Sequence, residues 1–212
     1  MGYPPDWRRH EDAAAVEALL SRDPFAHFVT SHTGLRSTRI PLIADFENAA
    51  PVRLRGHLNR QNPQAEDLDG QLALATFDGP ATYVSPNWRT NLKVAATYDY
   101  EEVQIRGTVR VVSDIDFFRC LVDDLARMIE PQHSEVGAYP VWQSSMTPPG
   151  YVERLFPAIT VFELEVQSTQ MISKLHQTYP EADRRSIADH LTRSHREGAR
   201  RIAEKIRMQL ED

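Results

Sequence analysis

The chain has 212 residues, a formal net charge of −6 and 41% hydrophobic residues, values typical of one large water-soluble domain or of a domain with an appendage. The negative charge argues against a protein that works mainly by binding nucleic acid. No apolar run approaches the roughly 20 residues that span a bilayer, so we expect no membrane anchor. The single cysteine, Cys120, excludes an internal disulfide and fits a cytoplasmic protein. Its apolar neighbours predict a place in the core.

The first half of the chain predicts one helix followed by short strands. Apolar spacing indicates an amphipathic helix over residues 10–21, which ends near Asp23-Pro24. Strands are predicted over 25–30, 36–43, 52–58, 71–77 and 81–85. The turn residues Asp78-Gly79-Pro80 predict that the last two strands form a hairpin.

The second half predicts longer elements. A regularly alternating strand is predicted over 102–112, a helix over 114–130, and a strand over 158–167 that 171–175 continues. Many short strands with few helices favour a mainly β, α+β fold: an antiparallel barrel with helical additions. We predict a barrel domain over 1–178 and a helical extension over 179–212. The extension carries eight basic residues on an amphipathic helix, which we expect to pack on the barrel or on a partner subunit rather than to contact nucleic acid.

A histidine lies in a polar run that leaves the predicted strand 52–58. Alternation places Leu54, Gly56 and Leu58 on the core face and His57 on the opposite face. An outward histidine is often a plain surface residue, but imidazole is also a common metal ligand and an axial ligand of haem iron. Gly56 would let a flat ring approach the backbone. Further donors and one fixed cation follow His57: Asn59, Arg60 and Asn62.

Three more clusters carry chemical groups. They are Tyr83, Ser85 and Trp88; Tyr98, Asp99 and Tyr100; and Lys174, His176 and Gln177. The first could line a planar ligand or pack in the core. The second could bind a substrate amine or end a strand. In the third, the lysine and the glutamine could hold a phosphate or propionate, and the histidine could exchange protons or lie at the surface.

Six blocks together resemble the PaiB family, usually described as FMN-binding negative transcriptional regulators. They are GHLNRQNP at 56–63, FDGPATYVSPNW at 77–88, TYDY at 97–100, VQIRG at 103–107, PVW at 140–142 and KLHQ at 174–177. The resemblance implies a split β-barrel of the FMN-binding type. It also implies a homodimer with cofactor sites at the subunit interface.

The chain departs from the family pattern at three places. The family usually has Pro-Thr-Trp-Asn-Tyr where this chain has ATYDY at 96–100, Trp-Tyr where it has Trp88-Arg89, and Lys-Leu-Ser-Gln-Asn where it has KLHQT at 174–178. These departures favour a divergent branch that resembles the haem-dependent piperazate synthases, which cyclise N5-hydroxyornithine by forming an N–N bond. An FMN-binding regulator is the alternative, and a split-barrel oxidoreductase or haem-degrading protein is a third possibility.

The resemblance to the piperazate synthases implies a role for each cluster. His57 would be the axial ligand of haem b, and the substrate would be a small amino acid. The other cofactor-binding residues would be Asn59, Arg60, Asn62, Tyr83, Ser85, Trp88, Lys174 and Gln177. The catalytic candidates would be Tyr98, Asp99, Tyr100 and His176.

Overall fold

The computed structural model describes residues 9–10, 12–31, 34–136 and 139–211. In these ranges the helices are α1 (Ala13–Arg22), α2 (Ile115–Ile129), α3 (Tyr151–Leu155), α4 (Glu181–Thr192) and α5 (Glu197–Glu211). The strands are β1 (Arg9–His10), β2 (Phe25–Thr30), β3 (Arg36–Pro41), β4 (Ile43–Glu47), β5 (Ala50–Asn59), β6 (Leu72–Val84), β7 (Thr97–Val112) and β8 (Ile159–Lys174). No helix in the described part is long and apolar enough to cross a membrane.

The strands join in the order β3-β2-β6-β7-β8-β5-β4, and β1 pairs with β8. The register is antiparallel where β2 meets β3 and β6, and where β5 meets β4 and β8. Helices accompany this sheet, so the predicted mainly β, α+β class is confirmed.

The chain divides into two compact units. Unit 1 comprises Asp78–Val103 and Gln170–Asp212, with the described part of Met1–Glu11, and unit 2 comprises Asp12–Phe77 and Gln104–Thr169. Strands β6, β7 and β8 therefore each contribute residues to both units. The tail helices α4 and α5 fall in unit 1 together with strand residues, and the division that we predicted after residue 178 stays a prediction.

Strand β5 of unit 2 has one face in the core, as its alternation predicts. Leu54 and Leu58 are buried, and a Cβ on Gly56 would lie 2.4 Å from Leu42 Cδ2. Glycine at this position therefore serves core packing, and not the approach of a flat ligand that we predicted. The sheet pairs Gly56 with Phe162 of β8, whose ring also limits the space there.

Helix α2 begins where the sequence predicts, because the Asp114 carboxylate accepts hydrogen bonds from the amides of Asp116 and Phe117. Its apolar face packs in a cluster that includes Phe118 and Leu121. Helical periodicity turns Cys120 away from this cluster, and its side chain is exposed. The core position that we predicted for Cys120 is therefore wrong.

The predicted hairpin at Asp78-Gly79-Pro80 is also wrong, because β6 runs without a break from Leu72 to Val84. Strand β2 pairs with β6 only from Ala73 to Thr76, so Pro80 is not required to donate a hydrogen bond to β2. A Cβ on Gly79 would lie 2.7 Å from the backbone oxygen of Glu101. The glycine thus permits a close approach of two backbones rather than a turn.

The tail forms two helices instead of the single one predicted. The apolar stripe is nevertheless confirmed, because Ile187, Leu191, Ile202 and Ile206 are buried together with Val84 and Leu175. These side chains form the hydrophobic core of unit 1.

Candidate functional site

His57 in unit 2 is held by packing. Its ring meets the Phe118 ring edge-on, with centroids 5.5 Å apart and an interplanar angle of 80°. The side chain is half-buried, and this burial lowers the pKa of the imidazole, which is therefore neutral at neutral pH. Among the described residues, neither ring nitrogen has a hydrogen-bond partner. Within the same ranges, no group of three or more His, Cys, Asp or Glu residues is arranged to hold a metal ion.

The polar residues that follow His57 shape the chain locally. The Asn59 side chain accepts a hydrogen bond from the Gln61 amide at 2.8 Å. The Asn62 side chain accepts one from the Gln64 amide at 2.9 Å and donates one to Thr38. Both amide side chains therefore stabilise the turn after β5, which leaves their predicted cofactor roles untested.

Arg60 lies in an exposed position, where its Nη2 donates to the backbone oxygen of Ile159 at 3.0 Å. It lines a cleft of about 1130 Å³ in unit 2. Glu66, Asp67 and Asp69 line the same cleft, and their charges disfavour a bound phosphate or propionate.

The first cluster of unit 1 also has local roles. Ser85 Oγ accepts a hydrogen bond from the Asn87 amide and so caps a short 3-10 turn. Trp88 stacks on His190 with ring centroids 5.5 Å apart and packs against the hydrophobic core of the unit. Tyr83 is exposed and meets Tyr98 edge-on at 6.1 Å. The packing alternative for Trp88 agrees with these contacts.

The other two predicted clusters meet in unit 1. His176 Nδ1 lies 2.6 Å from Asp99 Oδ2, and the two residues are 2% and 0% exposed. Lys174 Nζ donates to the Tyr98 backbone oxygen at 2.6 Å and to Thr97 Oγ1. The sequence predicted the members of both clusters but not these contacts.

The remaining members of the two clusters take different positions. The Tyr98 side chain is exposed, and Tyr100 is half-buried. Gln177 accepts from the Leu175 amide and donates to the Ser173 backbone oxygen, so its side chain braces the turn after β8.

The His176 ring presents one nitrogen that has no partner. The Asp99 carboxylate accepts from Nδ1–H, which leaves Nε2 as the nitrogen that can exchange a proton. Nε2 is buried and has no hydrogen-bond partner among the described residues, and the same holds for Asp99 Oδ1. His176 also has a φ of 56°, a left-handed conformation that is costly for a residue other than glycine.

Sequence reasoning proposed no role for Arg89 and Tyr179. The Tyr179 ring lies 4.7 Å from the His176 ring, and the Arg89 guanidinium lies 4.1 Å from the centre of the Tyr179 ring. The Arg89 side chain is only 6% exposed. The signal for Arg89 was its departure from the family pattern at the Trp-Tyr position.

Asp183 forms an ion pair with Arg89. Its Oδ2 lies 3.6 Å from Arg89 Nε, beyond hydrogen-bond length. Its Oδ1 accepts from the backbone amide and the hydroxyl of Thr90, at 2.8 and 2.7 Å. These two bonds, followed by the nearby Arg89 charge, lower the pKa of Asp183. Arg89 Nε is left without a hydrogen-bond partner among the described residues.

Arg89, Lys174 and His176 share a cavity of about 330 Å³. The Tyr179 ring and the chain from Val94 to Thr97 complete most of its wall. No carboxylate is among the described residues that line it. The cavity, which we call the basic cavity, lies entirely in unit 1.

The predicted site residues therefore divide between the units. Unit 2 contains His57, Asn59, Arg60 and Asn62, and unit 1 contains Tyr83, Ser85, Trp88, Tyr98, Asp99, Tyr100, Lys174, His176 and Gln177. Within the described ranges, hydrogen bonds bring together the clusters around Asp99 and His176, and Tyr83 of the first cluster meets Tyr98 edge-on.

Comparisons with known proteins agree with this fold. The sequence matches the family described as "Putative FMN-binding domain" over residues 1–168. An uncharacterized protein of Emericella nidulans is 26% identical over 186 residues, which cover 72% of this chain and 73% of that protein.

Two solved structures are also similar. The FAD and haem binding protein of Mycobacterium smegmatis has a TM-score of 0.56 at 15% identity, over 79% of this chain and 73% of that one. The flavocytochrome Anf3 of Azotobacter vinelandii has a TM-score of 0.55 at 17% identity, over 79% of this chain and 70% of that one. At such identities the likeness shows the fold, and the predicted split barrel of the FMN-binding type is confirmed.

Proposed function

The chain belongs to the family of the "Putative FMN-binding domain", and from this premise we propose that it is a haem-dependent enzyme that forms an N–N bond. As the resemblance to the piperazate synthases implies, the substrate would be N5-hydroxyornithine and the product piperazic acid. One observation carries the choice of haem over flavin, namely the state of His57.

The His57 imidazole suits an axial ligand in three respects. It is neutral at neutral pH because burial lowers its pKa, so a nitrogen lone pair is available. Neither nitrogen bonds to a described residue, and the Phe118 ring limits how the imidazole can turn. The described ranges contain no group of three or more His, Cys, Asp or Glu residues that could hold a bare metal ion. Haem iron needs fewer protein ligands, because the porphyrin nitrogens already coordinate it.

The similar structures support this proposal at the level of the fold. One is described as an FAD and haem binding protein and another as a flavocytochrome. Arg60 is the cation nearest in sequence after His57, and we assign it to a propionate. The Glu66, Asp67 and Asp69 carboxylates line the same cleft, and their charges oppose that role.

The proposed reaction is balanced without an external oxidant or reductant. The lone pair of the α-amine forms the N–N bond while the N–O bond of the hydroxylamine breaks. The amine gives up one proton, and the hydroxyl oxygen leaves as water. Haem, when bound, would supply an iron that acts as a Lewis acid on the hydroxylamine. The acid–base candidates Tyr98, Asp99, Tyr100 and His176 lie in unit 1, and their part in this reaction stays a prediction.

The absorbance spectrum of the purified protein, reconstituted with haem, tests the cofactor. We expect a Soret band that is lost in His57→Phe, a variant that keeps a ring against Phe118 but has no nitrogen ligand. His190→Ala is the matched control, because that histidine stacks on Trp88 in unit 1 and should leave the band unchanged. An unchanged Soret band in His57→Phe would overturn the axial assignment.

The cyclisation needs a separate measurement. Incubation of the haem-loaded protein with N5-hydroxyornithine should give a product that has lost one water and comigrates with piperazic acid. Haem binding without this product would contradict the proposed cyclase activity but not the proposed binding of haem.

An FMN-binding transcriptional regulator is the second candidate, favoured by the family's own description. A yellow flavin spectrum without a Soret band would select it. The helices α4 and α5 give little support to DNA binding, because several of their basic residues already pair with acidic ones. Recorded pairs are Arg185 with Glu181, Arg201 with Glu197, Lys205 with Glu101 and Arg207 with Asp189.

We also propose that the chain forms a homodimer with the cofactor at the interface, as the resemblance implies. Light scattering during size-exclusion chromatography tests this, and the measured mass should be twice that of one chain. A reductant is needed, because the exposed Cys120 could link two copies covalently.

A further inference from the structure

We infer that the basic cavity of unit 1 binds a small oxyanion, a carboxylate or a phosphate, and that His176 Nε2 exchanges a proton with the bound molecule. This site goes beyond the proposed haem chemistry and does not depend on it. All of its residues belong to unit 1, whereas His57 belongs to unit 2.

The charge of the wall selects an anion. Arg89 and Lys174 line the cavity, and no carboxylate does so among the described residues. Asp183 uses Oδ1 for the two hydrogen bonds from Thr90, and its Oδ2 pairs with Arg89 Nε at 3.6 Å from behind the wall. Arg89 has five N–H donors, and its buried Nε has no hydrogen-bond partner among the described residues. A planar guanidinium matches the two oxygens of a carboxylate or phosphate.

Tyr179 contacts both key groups of the cavity, the His176 ring and the Arg89 guanidinium. The Tyr179 ring contacts the His176 ring at 4.7 Å and the Arg89 guanidinium at 4.1 Å. An arginine that stacks on an aromatic ring loses less side-chain freedom when it binds a ligand. Tyr179 therefore restricts the positions of both the Arg89 guanidinium and the His176 imidazole.

The buried pair behind the wall points to proton exchange. Asp99 and His176 are both almost fully buried, which is costly unless every polar atom finds a partner. Nε2 of His176 is unpartnered among the described residues, and His176 lines the cavity. A bound molecule that donates to Nε2, or accepts from it, completes the bonding of this ring. Because the Asp99 carboxylate binds Nδ1, Nε2 is the nitrogen that remains for the bound molecule.

The backbone at His176 supports the same conclusion. Its left-handed φ of 56° costs roughly 1–3 kcal/mol in typical cases. Strain of this kind persists where the surrounding structure enforces it, and it is concentrated at functional sites. The turn is closed by a hydrogen bond from the Tyr179 amide to the His176 oxygen at 2.9 Å. This turn places both His176 and Tyr179 in the wall of the cavity.

The size of the cavity limits the ligand. A volume of about 330 Å³ lies at the lower end of the range for small-molecule sites. It accommodates a molecule on the scale of an amino acid or a small phosphate ester.

Nitrogen-15 NMR of the histidine rings of the full chain tests the site. The His176 signals, assigned with His176→Asn, are followed while acetate or inorganic phosphate is added at constant ionic strength, with chloride as the reference. We expect a saturable shift of the Nε2 signal with one of the two anions, and the anion that acts identifies the ligand class. No saturable shift with either would mean that the cavity holds only water, and would overturn the inference.

Variants that leave the buried pair intact locate the binding. Arg89→Gln and Lys174→Gln should each lower the affinity for the anion by about 10- to 100-fold, the usual effect of losing a charged hydrogen bond. Arg185→Gln is the matched control, because that arginine is exposed on the outer face of α4 and pairs with Glu181. Equal binding in all three variants would show that the shift is unspecific, and would also overturn the inference. Haem binding at His57 is read from the Soret band, so the two proposals can fail independently.

Discussion

The two compact units differ in where they bury charge. Unit 1 buries four ionisable residues, Asp99, Glu101, His176 and Asp183, whereas unit 2 buries only Glu163 among the residues described. Around His57, unit 2 offers the Phe118 ring, and the ion pairs of Arg55 with Asp45 and Asp124 on the same strand face are partly exposed. Buried charge is costly and needs partners. Unit 1 therefore depends more on hydrogen bonds to buried ionisable groups. In unit 2, the His57 ring has no hydrogen-bond partner among the described residues.

The largest effect should follow from breaking the buried pair of unit 1. His176→Leu leaves the Asp99 carboxylate buried without its partner, which should lower the free energy of unfolding by about 3–5 kcal/mol. Urea unfolding at neutral pH measures this. The double variant Asp99→Leu/His176→Leu removes both polar side chains and should recover most of the loss. A loss below about 1 kcal/mol in the single variant would show that the pair is not held as the 2.6 Å contact indicates.

An intermediate effect is expected at Asp183, also in unit 1. Thr90→Val removes the hydroxyl donor at 2.7 Å and should cost about 1.5–3 kcal/mol at neutral pH, the value of a hydrogen bond to a charged group. The pKa of Asp183 is lowered on folding, so its contribution is present above its ordinary pKa of 3.8 and is lost as the pH falls through the lower folded value. The difference between wild type and Thr90→Val should therefore shrink in acid.

Thr90→Ser retains the hydroxyl and is the control for that variant. It should stay close to the wild type at every pH. A difference between wild type and Thr90→Val that does not change with pH would contradict the assignment to the Asp183 charge.

The smallest effect is expected at His57 in unit 2. Burial lowers its folded pKa below the ordinary 6.5, so the unfolded chain binds a proton first as the pH falls. The stabilisation should be full above pH 6.5 and fall below it, by at most about 1.4 kcal/mol per pH unit. His57→Phe keeps the contact with Phe118 and should lack this component. Unfolding curves of both proteins on either side of pH 6.5 provide the check, and parallel pH profiles would contradict it.

Local patterns predicted much of the fold. The alternation of β5 placed Leu54 and Leu58 correctly, because a half-buried strand repeats every two residues. The Asp114 cap of α2 was readable for a similar reason, since capping acts over three residues. The hairpin at Asp78-Gly79-Pro80 failed because a glycine can also permit close packing, here against Glu101. Only the neighbouring chain separates these two uses of glycine.

The candidate site was predictable in its parts and not in its assembly. Asp99 and His176 were both named, but 77 positions separate them and no local pattern records that they meet. A signal did exist in the departures from the family pattern. The PaiB pattern that the sequence resembles has Asn and Ser at the two positions of the pair, and Tyr at the position of Arg89. All three departures lie at the basic cavity or directly behind it.

The core of unit 1 has a practical consequence for anyone preparing fragments of this protein. The family match ends at residue 168, inside β8, whereas that core depends on Leu175, Ile187, Leu191, Ile202 and Ile206. A recombinant piece cut at the family boundary would expose Val84 and lose the helices that cover it. Such a piece should aggregate or be degraded, even though every residue of the recognised family segment is present.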